Sequence, residues 1–231
     1  MARILVAQNG PSGPLGALEA PLREAGHELE AWHAPVDGPA PDVRDYAGMI
    51  VLGSTANPDE DERFPWIAEE RRLVLRALEH DVATLGLCFG AQLLAQASGG
   101  AAPPLGRLDL GWREVELTDE AAEDALLAGL PRRFVGFQWH RYGLDPPRGA
   151  AVLATGPLGP QAFRVGARAW GFQFHLEVDE RIVAHWLDVA SHEVEAAGED
   201  LEGLRRATEA EVPASIERAQ LVGWRLATIL S

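Results

Sequence analysis

The stretch LGLCFGAQLLA (residues 85–95) decides the fold, because a buried strand is expected to change into a helix there. The apolar run over residues 82–88 predicts a strand that is buried on both faces. From Phe89 onward the apolar residues follow a helical spacing, and Gly99 and Gly100 mark the end of that helix. A buried strand that leads directly into a helix is typical of a parallel α/β sheet.

The same alternation runs through the first hundred residues. Further strands are predicted at 3–7, 27–32 and 48–53, and helices at 15–26 and 64–80. Pro21 is expected to kink or shorten the first of these helices. Alternating strands and helices favour an α/β fold with a doubly wound, mostly parallel sheet and helices on both faces.

The second half of the chain is predicted to add short strands and a helical end. The strands are expected at 112–117, 133–139, 151–154, 161–165 and 169–175. Residues 179–198 have helical spacing, and residues 199–231 predict two more helices divided near Pro213. No linker rich in Gly, Pro or Ser separates two cores. We therefore expect a single domain over residues 1–231, with 199–231 as a C-terminal helical extension.

Composition and charge restrict the partners. The chain has 231 residues, of which 47% are hydrophobic, and a net charge of −15. This acidity makes nucleic-acid backbones and anionic membranes poor partners. The apolar run in MARILVAQNG (1–10) is too short for a secretory signal, and no stretch has the apolar length of a membrane span. A single cysteine cannot form an internal disulfide, so we expect a cytoplasmic protein.

Cys88 occupies a position suited to a nucleophile. In the pattern G-x-C-x-G, Gly86 and Gly90 let the strand and the helix approach closely, while the cysteine side chain is held at the carboxyl edge of the sheet. Open α/β sheets bind ligands at that edge, and the dipole of a helix N-terminus favours a thiolate. The alternative is that Cys88 is a small buried hydrophobe with a packing role only.

A thiolate nucleophile needs a base, and two histidines compete for that role. His175 and Glu177 are two residues apart, so a continuing strand would place both side chains on one face and let the carboxylate orient the imidazole. His140 also follows an apolar strand, but Gln138 and Tyr142 at its two sides suggest no local orienting group. The remaining five histidines fit surface or capping positions.

Together these motifs resemble the class I, triad-type glutamine amidotransferases. The elbow of that family reads G-x-C-x-G-x-Q and its base segment reads Q-F-H-P-E, similar to LGLCFGAQLLA and to GFQFHLEV (171–178). Further similar stretches are VLGSTANPDED (51–61), LGWREVELT (110–118) and FQWHRYGLDPP (137–147). The resemblance is strongest to freestanding GMP-synthase-like members. It implies a flavodoxin-like α/β fold, hydrolysis of L-glutamine to glutamate and ammonia, and neither a metal nor an organic cofactor.

The resemblance also implies roles for individual residues. Cys88 corresponds to the nucleophile, His175 to the base and then the acid, and Glu177 to the carboxylate that orients the imidazole, with a γ-glutamyl thioester as intermediate. The oxyanion hole is expected from the backbone N–H groups of Phe89, Gly53 and Ser54. The expected substrate-binding residues are Gln92, Trp139 and His140.

Two residues depart from the family pattern. Ser54 stands where the family has a second turn glycine, so we expect strain there if the turn needs a positive φ, and an oxyanion turn that settles only with substrate or partner. Leu176 stands where the family usually has proline, which leaves the His-x-Glu geometry possible but less rigid.

Other protein classes remain open at this point. An α/β-hydrolase would share the elbow, but its order is nucleophile, acid, histidine, whereas the order here is Cys, His, Glu. A γ-glutamyl peptidase or hydrolase of the same fold would share every catalytic residue. A non-enzymatic regulatory or binding subunit would be expected to have lost a triad member. For an amidotransferase, the expected partners are L-glutamine or a γ-glutamyl amide and a synthetase that accepts the ammonia; the oligomeric state stays open.

Overall fold

The computed structural model describes residues 1–10 and 13–230, and its described strands form one nine-stranded mixed sheet. The strands are Arg3–Gln8 (β1), Glu28–His33 (β2), Gly48–Val51 (β3), Ala83–Leu87 (β4), Pro104–Leu117 (β5), Arg133–Tyr142 (β6), Ala151–Gly156 (β7), Gly159–Val165 (β8) and Ala169–Phe172 (β9). The α-helices are Glu19–Glu24 (α1), Trp66–Glu79 (α2), Phe89–Ala97 (α3), Glu180–Val189 (α4), Ser191–Ala196 (α5) and Leu201–Ile229 (α6).

The strand order is β2-β1-β3-β4-β9-β8-β7-β5-β6, and it divides the sheet into two parts. Strands β2, β1, β3, β4 and β9 pair in parallel, while the pairs from β9 through β8, β7 and β5 to β6 are antiparallel. The chain reverses its strand order beside β1, and ligands of open α/β sheets bind at the carboxyl ends of strands near such a reversal. The predicted α/β fold class is confirmed, with five parallel strands forming one half of the sheet.

The parallel strands are buried because both faces of the sheet are covered. On β1, Ile4 and Val6 point into the core shared with the α1 and α6 side, and Leu5 and Ala7 point into the core shared with α2 and α3. This alternation follows from the two-residue period of a strand. The side chains of the continuous apolar run that predicted a buried strand therefore pack alternately into two cores.

The C-terminal extension differs from the prediction, because residues Leu201–Ile229 form one helix and Pro213 lies inside it. A proline in a helix interior removes a hydrogen bond and crowds the preceding turn, which disfavours the helix by about 3 kcal/mol. Buried residues on both sides of Pro213, among them Val212 and Ser215, pack the helix against the rest of the protein and outweigh that local preference. Ser231, the last residue of the predicted extension, lies outside the described residues.

The apolar residues of this extension are only partly buried. Leu204 and Leu226 lie in the core, whereas Leu221 and Trp224 are exposed. No helix in the described part of the chain combines the length and the apolar composition needed to cross a membrane.

Two other predicted elements also differ in extent. The helix expected at 15–26 is a 3-10 turn, Gly16–Leu18, followed by the short helix α1, with Pro21 in its first turns. The helix expected at 179–198 breaks at Ala190 into α4 and α5, because Ala190 has left the helical backbone conformation (φ −120°, ψ 27°).

Candidate active site

Cys88 lies at the sharp turn between β4 and α3, in a strained backbone conformation. Its φ of 49° and ψ of −106° are rare for a residue with a side chain. The turn requires its two glycines, since a Cβ atom on Gly86 would lie 2.5 Å from the Gly90 carbonyl, and one on Gly90 would lie 2.1 Å from the Val51 oxygen. The N–H of Cys88 donates to the Phe172 carbonyl at 2.7 Å, which ties the turn to β9. This is the geometry of a nucleophile elbow.

His175 and Glu177 meet although the strand that was predicted to carry them ends earlier. Strand β9 ends at Phe172, so the predicted extent of 169–175 was wrong. The His175 N–H instead donates to the Phe137 carbonyl at 2.8 Å, an isolated bridge to β6. The His175 Nδ1 to Glu177 Oε1 distance is 2.7 Å, and both side chains are buried. Leu176, where the family has proline, is compatible with this contact.

The charge state of His175 follows from its two partners. Burial lowers the pKa of the His175 imidazole, but the charge of Glu177 and the charge of the Cys88 thiolate both raise it, as does hydrogen bonding with each. The net effect is a raised pKa, so the imidazole is held as an imidazolium beside the cysteine. A thiolate and imidazolium pair is the reactive form of a cysteine nucleophile.

Glu177 is fixed by its backbone as well as by its carboxylate. Its carbonyl accepts a hydrogen bond from the Ala17 N–H at 2.8 Å. Gly16 has a φ of +57°, and a Cβ atom there would lie 2.0 Å from the same carbonyl oxygen. The 3-10 turn before α1 therefore packs directly on Glu177, whose carboxylate contacts His175 Nδ1.

His140, the competing base, has no free ring nitrogen. Its Nδ1 lies 2.9 Å from the Tyr142 carbonyl and its Nε2 lies 3.0 Å from Gln138 Oε1. The expectation that these neighbours would not orient the ring was wrong. Burial, together with the charge of His175, lowers the pKa of His140 to about 4, and the Tyr142 carbonyl opposes this only in part. His140 is thus a neutral, fixed part of the cavity wall.

Two backbone segments can donate to an oxyanion beside Cys88. Phe89 is the first residue of α3, so its N–H has no acceptor within the helix. Gly53 lies against the triad, because a Cβ atom there would lie 3.0 Å from His175 Cε1 and 3.8 Å from Cys88 Cβ. Ser54 is not among the described residues with a positive φ, so the expected strain is absent. Its Oγ instead accepts a hydrogen bond from the Ala56 N–H at 3.0 Å.

All nine residues predicted for the site line one cavity of about 330 Å³ at the carboxyl end of the parallel strands. They are Cys88, His175, Glu177, Phe89, Gly53, Ser54, Gln92, Trp139 and His140. The structure therefore brings together residues from the turn after β3, from the elbow, from β6 and from the segment after β9.

The sequence analysis missed two residues that contact the predicted triad, Gln173 and Trp186. Gln173 donates from Nε2 to Cys88 Sγ at 3.7 Å, and it was already visible in the Q-F-H segment. Gln92 donates to the Tyr142 carbonyl at 3.0 Å and to Gln173 Oε1 at 3.4 Å, so its amide is held by the protein wall. Trp186 of α4 packs edge-on against His175 with ring centroids 4.8 Å apart. No sequence pattern predicts this contact.

No group of three or more His, Cys, Asp or Glu side chains in the described part of the chain is arranged to hold a metal ion.

Comparisons with known proteins bear on the family of this chain. The family model of class-I glutamine amidotransferases matches residues 16–185. A glutamine-hydrolyzing GMP synthase of Thermomicrobium roseum is 34% identical over 135 residues, which are 57% of this chain and 23% of that protein. Gamma-glutamyl peptidase 5 of Arabidopsis thaliana is 27% identical over 173 residues, which are 71% of this chain and 68% of that protein.

Among solved structures, a glutamine amidotransferase of Thermotoga maritima has the same fold, with a TM-score of 0.85, 26% identity and 97% coverage of both chains. The present chain spans about a quarter of the length of the GMP synthases that it matches. Because the family model covers most of the chain, including the elbow and the His-x-Glu segment, this protein belongs to the class-I glutamine amidotransferases.

Proposed function

We propose that this chain hydrolyses the side-chain carboxamide of L-glutamine to glutamate and ammonia. The observation that carries the proposal is the meeting of Cys88, His175 and Glu177 in one cavity beside two backbone segments able to donate to an oxyanion. Membership of the class-I amidotransferases supports glutamine as the substrate.

In the first half of the reaction, the Cys88 thiolate attacks the carboxamide carbon. Negative charge then develops on the carboxamide oxygen, where the N–H groups of Phe89 and of the Gly53 turn can stabilise it. The His175 imidazolium gives its proton to the departing nitrogen, the carbon–nitrogen bond breaks, and ammonia leaves. The product is a γ-glutamyl thioester on Cys88 and a neutral His175.

In the second half, His175 takes a proton from a water molecule that attacks the thioester. The carbon–sulfur bond breaks, glutamate leaves, and the thiolate and imidazolium pair is restored. Glu177 keeps the imidazole in one tautomer and orientation through both steps, because its Oε1 holds Nδ1 at 2.7 Å.

The ammonia is proposed to pass to a synthetase that docks over the carboxyl edge of the sheet. Support comes from the matched relatives, since GMP synthases that hydrolyse glutamine are among them. We place this reaction in the cytoplasm, where a free Cys88 thiol stays reduced.

The direct experiment is to incubate the purified chain with L-glutamine and to quantify glutamate and ammonia. Cys88→Ala is the matched control, because it removes the nucleophile and leaves a small side chain in the elbow. We expect stoichiometric glutamate and ammonia from the wild type and only background release from Cys88→Ala. Equal release by both proteins would refute thiol catalysis.

A second candidate, a γ-glutamyl peptidase, is supported by a neighbouring cavity of about 460 Å³. The two cavities share Leu108, Arg141 and Glu193. The charged walls of the second cavity are Arg107, Arg113, Arg141, Asp109, Glu193 and Glu199. Charges of both signs suit a leaving group that is itself an amino acid or a short peptide. The similarity to a gamma-glutamyl peptidase from Arabidopsis thaliana points the same way.

Arg107 offers a test of this second candidate, because it forms no ion pair with the described residues. We expect Arg107→Gln to lower kcat/KM for γ-glutamylglycine by about three- to tenfold, with hydrolysis of glutamine and of γ-glutamylmethylamide unchanged. Arg132→Gln, which alters an exposed arginine outside both cavities, is the control. If γ-glutamylglycine is not hydrolysed, the second candidate fails and the first stands.

A further inference from the structure

Two buried polar side chains, one of which lines the cavity, have polar atoms that lack the hydrogen bonds that burial requires. Glu70 lies on α2 with no exposed surface, and neither of its carboxyl oxygens has a hydrogen-bond partner among the described residues. Asn9 follows β1 and is 6% exposed, and its Oδ1 also lacks a partner there. Buried polar groups are nearly always paired, so two unpaired groups at one place need a physical explanation.

The two side chains are neighbours. The protonation state of Glu70 explains why their oxygens have no donor. Burial raises the pKa of Glu70 to about 8, and the neighbouring Asn9 side chain lowers it by less. At neutral pH the carboxyl group is therefore protonated. A protonated carboxyl has one O–H to donate, whereas a carboxylate can only accept. Asn9 Oδ1 is an acceptor in need of a donor.

Charged groups on the elements around Glu70 do not compete for this proton. Neither β4 nor α3, both packed on α2, contains a charged residue. The charged residues that flank Glu70 on α2, and Arg44 of the 3-10 turn Val43–Asp45 packed on α2, have partners elsewhere, while Asp45 of that turn is exposed to solvent. Glu69 accepts from the Ala40 N–H, Arg71 donates to Gln96 and to the Pro58 carbonyl, and Arg44 pairs with Asp42.

The other end of the Asn9 amide reaches the oxyanion turn. Asn9 Nδ2 donates to the Leu52 carbonyl at 3.1 Å, and Leu52 directly precedes Gly53. Gly53 in turn lies against His175. An amide that is held at its oxygen cannot rotate away from the carbonyl that its nitrogen binds. A donor at Oδ1 thus fixes the bond that positions the Gly53 turn.

We propose that the neutral carboxyl of Glu70 donates a hydrogen bond to Asn9 Oδ1, and that this pair holds the Gly53 turn in position for catalysis. Glu70 and Asn9 are positioning residues, since they act on the turn and not on the reacting atoms. The coupling between Glu70 and Gly53 is a property of the fold, and only its consequence for turnover rests on the proposed function. Ionisation of Glu70 removes the donated proton, so the coupling weakens as the pH rises through about 8.

The first test follows the backbone amide resonance of Gly53 by NMR between pH 6 and pH 10 (a range of about two pH units on either side of the midpoint). Glu70→Gln keeps an N–H donor but does not titrate, and Glu69→Gln on the same helix is the matched control. We expect the Gly53 shift to titrate with a midpoint near 8 in the wild type and in Glu69→Gln, and to lose that step in Glu70→Gln. A step near pH 8 that persists in Glu70→Gln, or no such step in the wild type, would overturn the proposal.

The second test compares turnover at pH 7 (about one pH unit below the Glu70 midpoint). Glu70→Leu removes the donor, and we expect kcat for glutamine to fall about tenfold with KM changed less than about twofold. Glu70→Gln should keep kcat within about twofold of the wild type. Equal kcat in Glu70→Leu and the wild type would contradict the positioning role. If even the wild type hydrolyses no γ-glutamyl amide, the proposed function fails, and the Gly53 titration still decides the coupling.

Discussion

The elbow at Cys88 and the segment at His175 are proposed to carry out the same reaction, but they are held in different ways. The elbow is fixed locally, because Gly86 and Gly90 permit a backbone path that forces Cys88 to a φ of 49°. The base segment has left its strand, and contacts from elsewhere in the chain hold it: the Phe137 carbonyl and the N–H of Ala17. The elbow is therefore set by residues that are adjacent in the sequence. The base segment depends instead on tertiary contacts with residues more than thirty positions away.

The largest effect is expected at the base itself. His175→Ala removes the proton donor and acceptor of both half-reactions, and we expect kcat/KM for glutamine to fall by about 10⁵-fold. His140→Ala should cost far less, because both ring nitrogens of His140 are engaged with the wall. Steady-state kinetics of the two variants measure this contrast. A severe loss in His140→Ala with a mild one in His175→Ala would show that the wrong base was assigned.

Glu177→Gln should have a smaller effect, since it changes orientation and charge without removing a reacting group. We expect a loss of about 10³-fold, roughly a hundred times milder than that of His175→Ala. The raised pKa of His175 depends on the Glu177 charge, so this variant should also move the alkaline limb of the kcat/KM profile to lower pH. A profile that does not move would mean that Glu177 leaves the imidazolium unaffected.

A weaker perturbation tests the long-range support of the base segment. Gly16→Ala places a Cβ atom against the Glu177 carbonyl, and we expect kcat to fall about tenfold. Gly26→Ala is the matched control, because Gly26 also has a positive φ but no atom within 4 Å of the added Cβ. Each change costs about 1–2 kcal/mol in backbone strain. The thermal unfolding temperature should therefore fall in both variants, whereas kcat should fall only in Gly16→Ala.

The smallest effect is expected far from the cavity. Pro213→Ala restores a helix hydrogen bond within α6, and we expect the free energy of unfolding to rise by about 1 kcal/mol. Turnover should stay within about twofold of the wild type, because α6 carries none of the nine site residues. Chemical denaturation and kinetics measure the two quantities, and a loss of turnover would link α6 to the site.

Features that depend on short-range sequence patterns could be predicted from the sequence, and features that depend on tertiary contacts could not. The four parallel strands β1 to β4 and the elbow were predicted to within about two residues, because apolar runs and glycine spacing act over short range. The unbroken α6 was not predicted, since burial on both sides of Pro213 overrides its local effect. Neither Trp186 beside His175 nor the Glu70 and Asn9 pair could be predicted, because their partners are brought together only by the fold.

The central claim is that Cys88 forms a covalent bond to the γ-glutamyl group of the substrate. The most direct measurement is to mix the purified protein with glutamine, quench with acid during turnover, and analyse its peptides by mass spectrometry. The account predicts a peptide containing Cys88 that is heavier by one γ-glutamyl group, and no such adduct in Cys88→Ala. Release of glutamate without any adduct on Cys88, or an adduct on another residue, would contradict it.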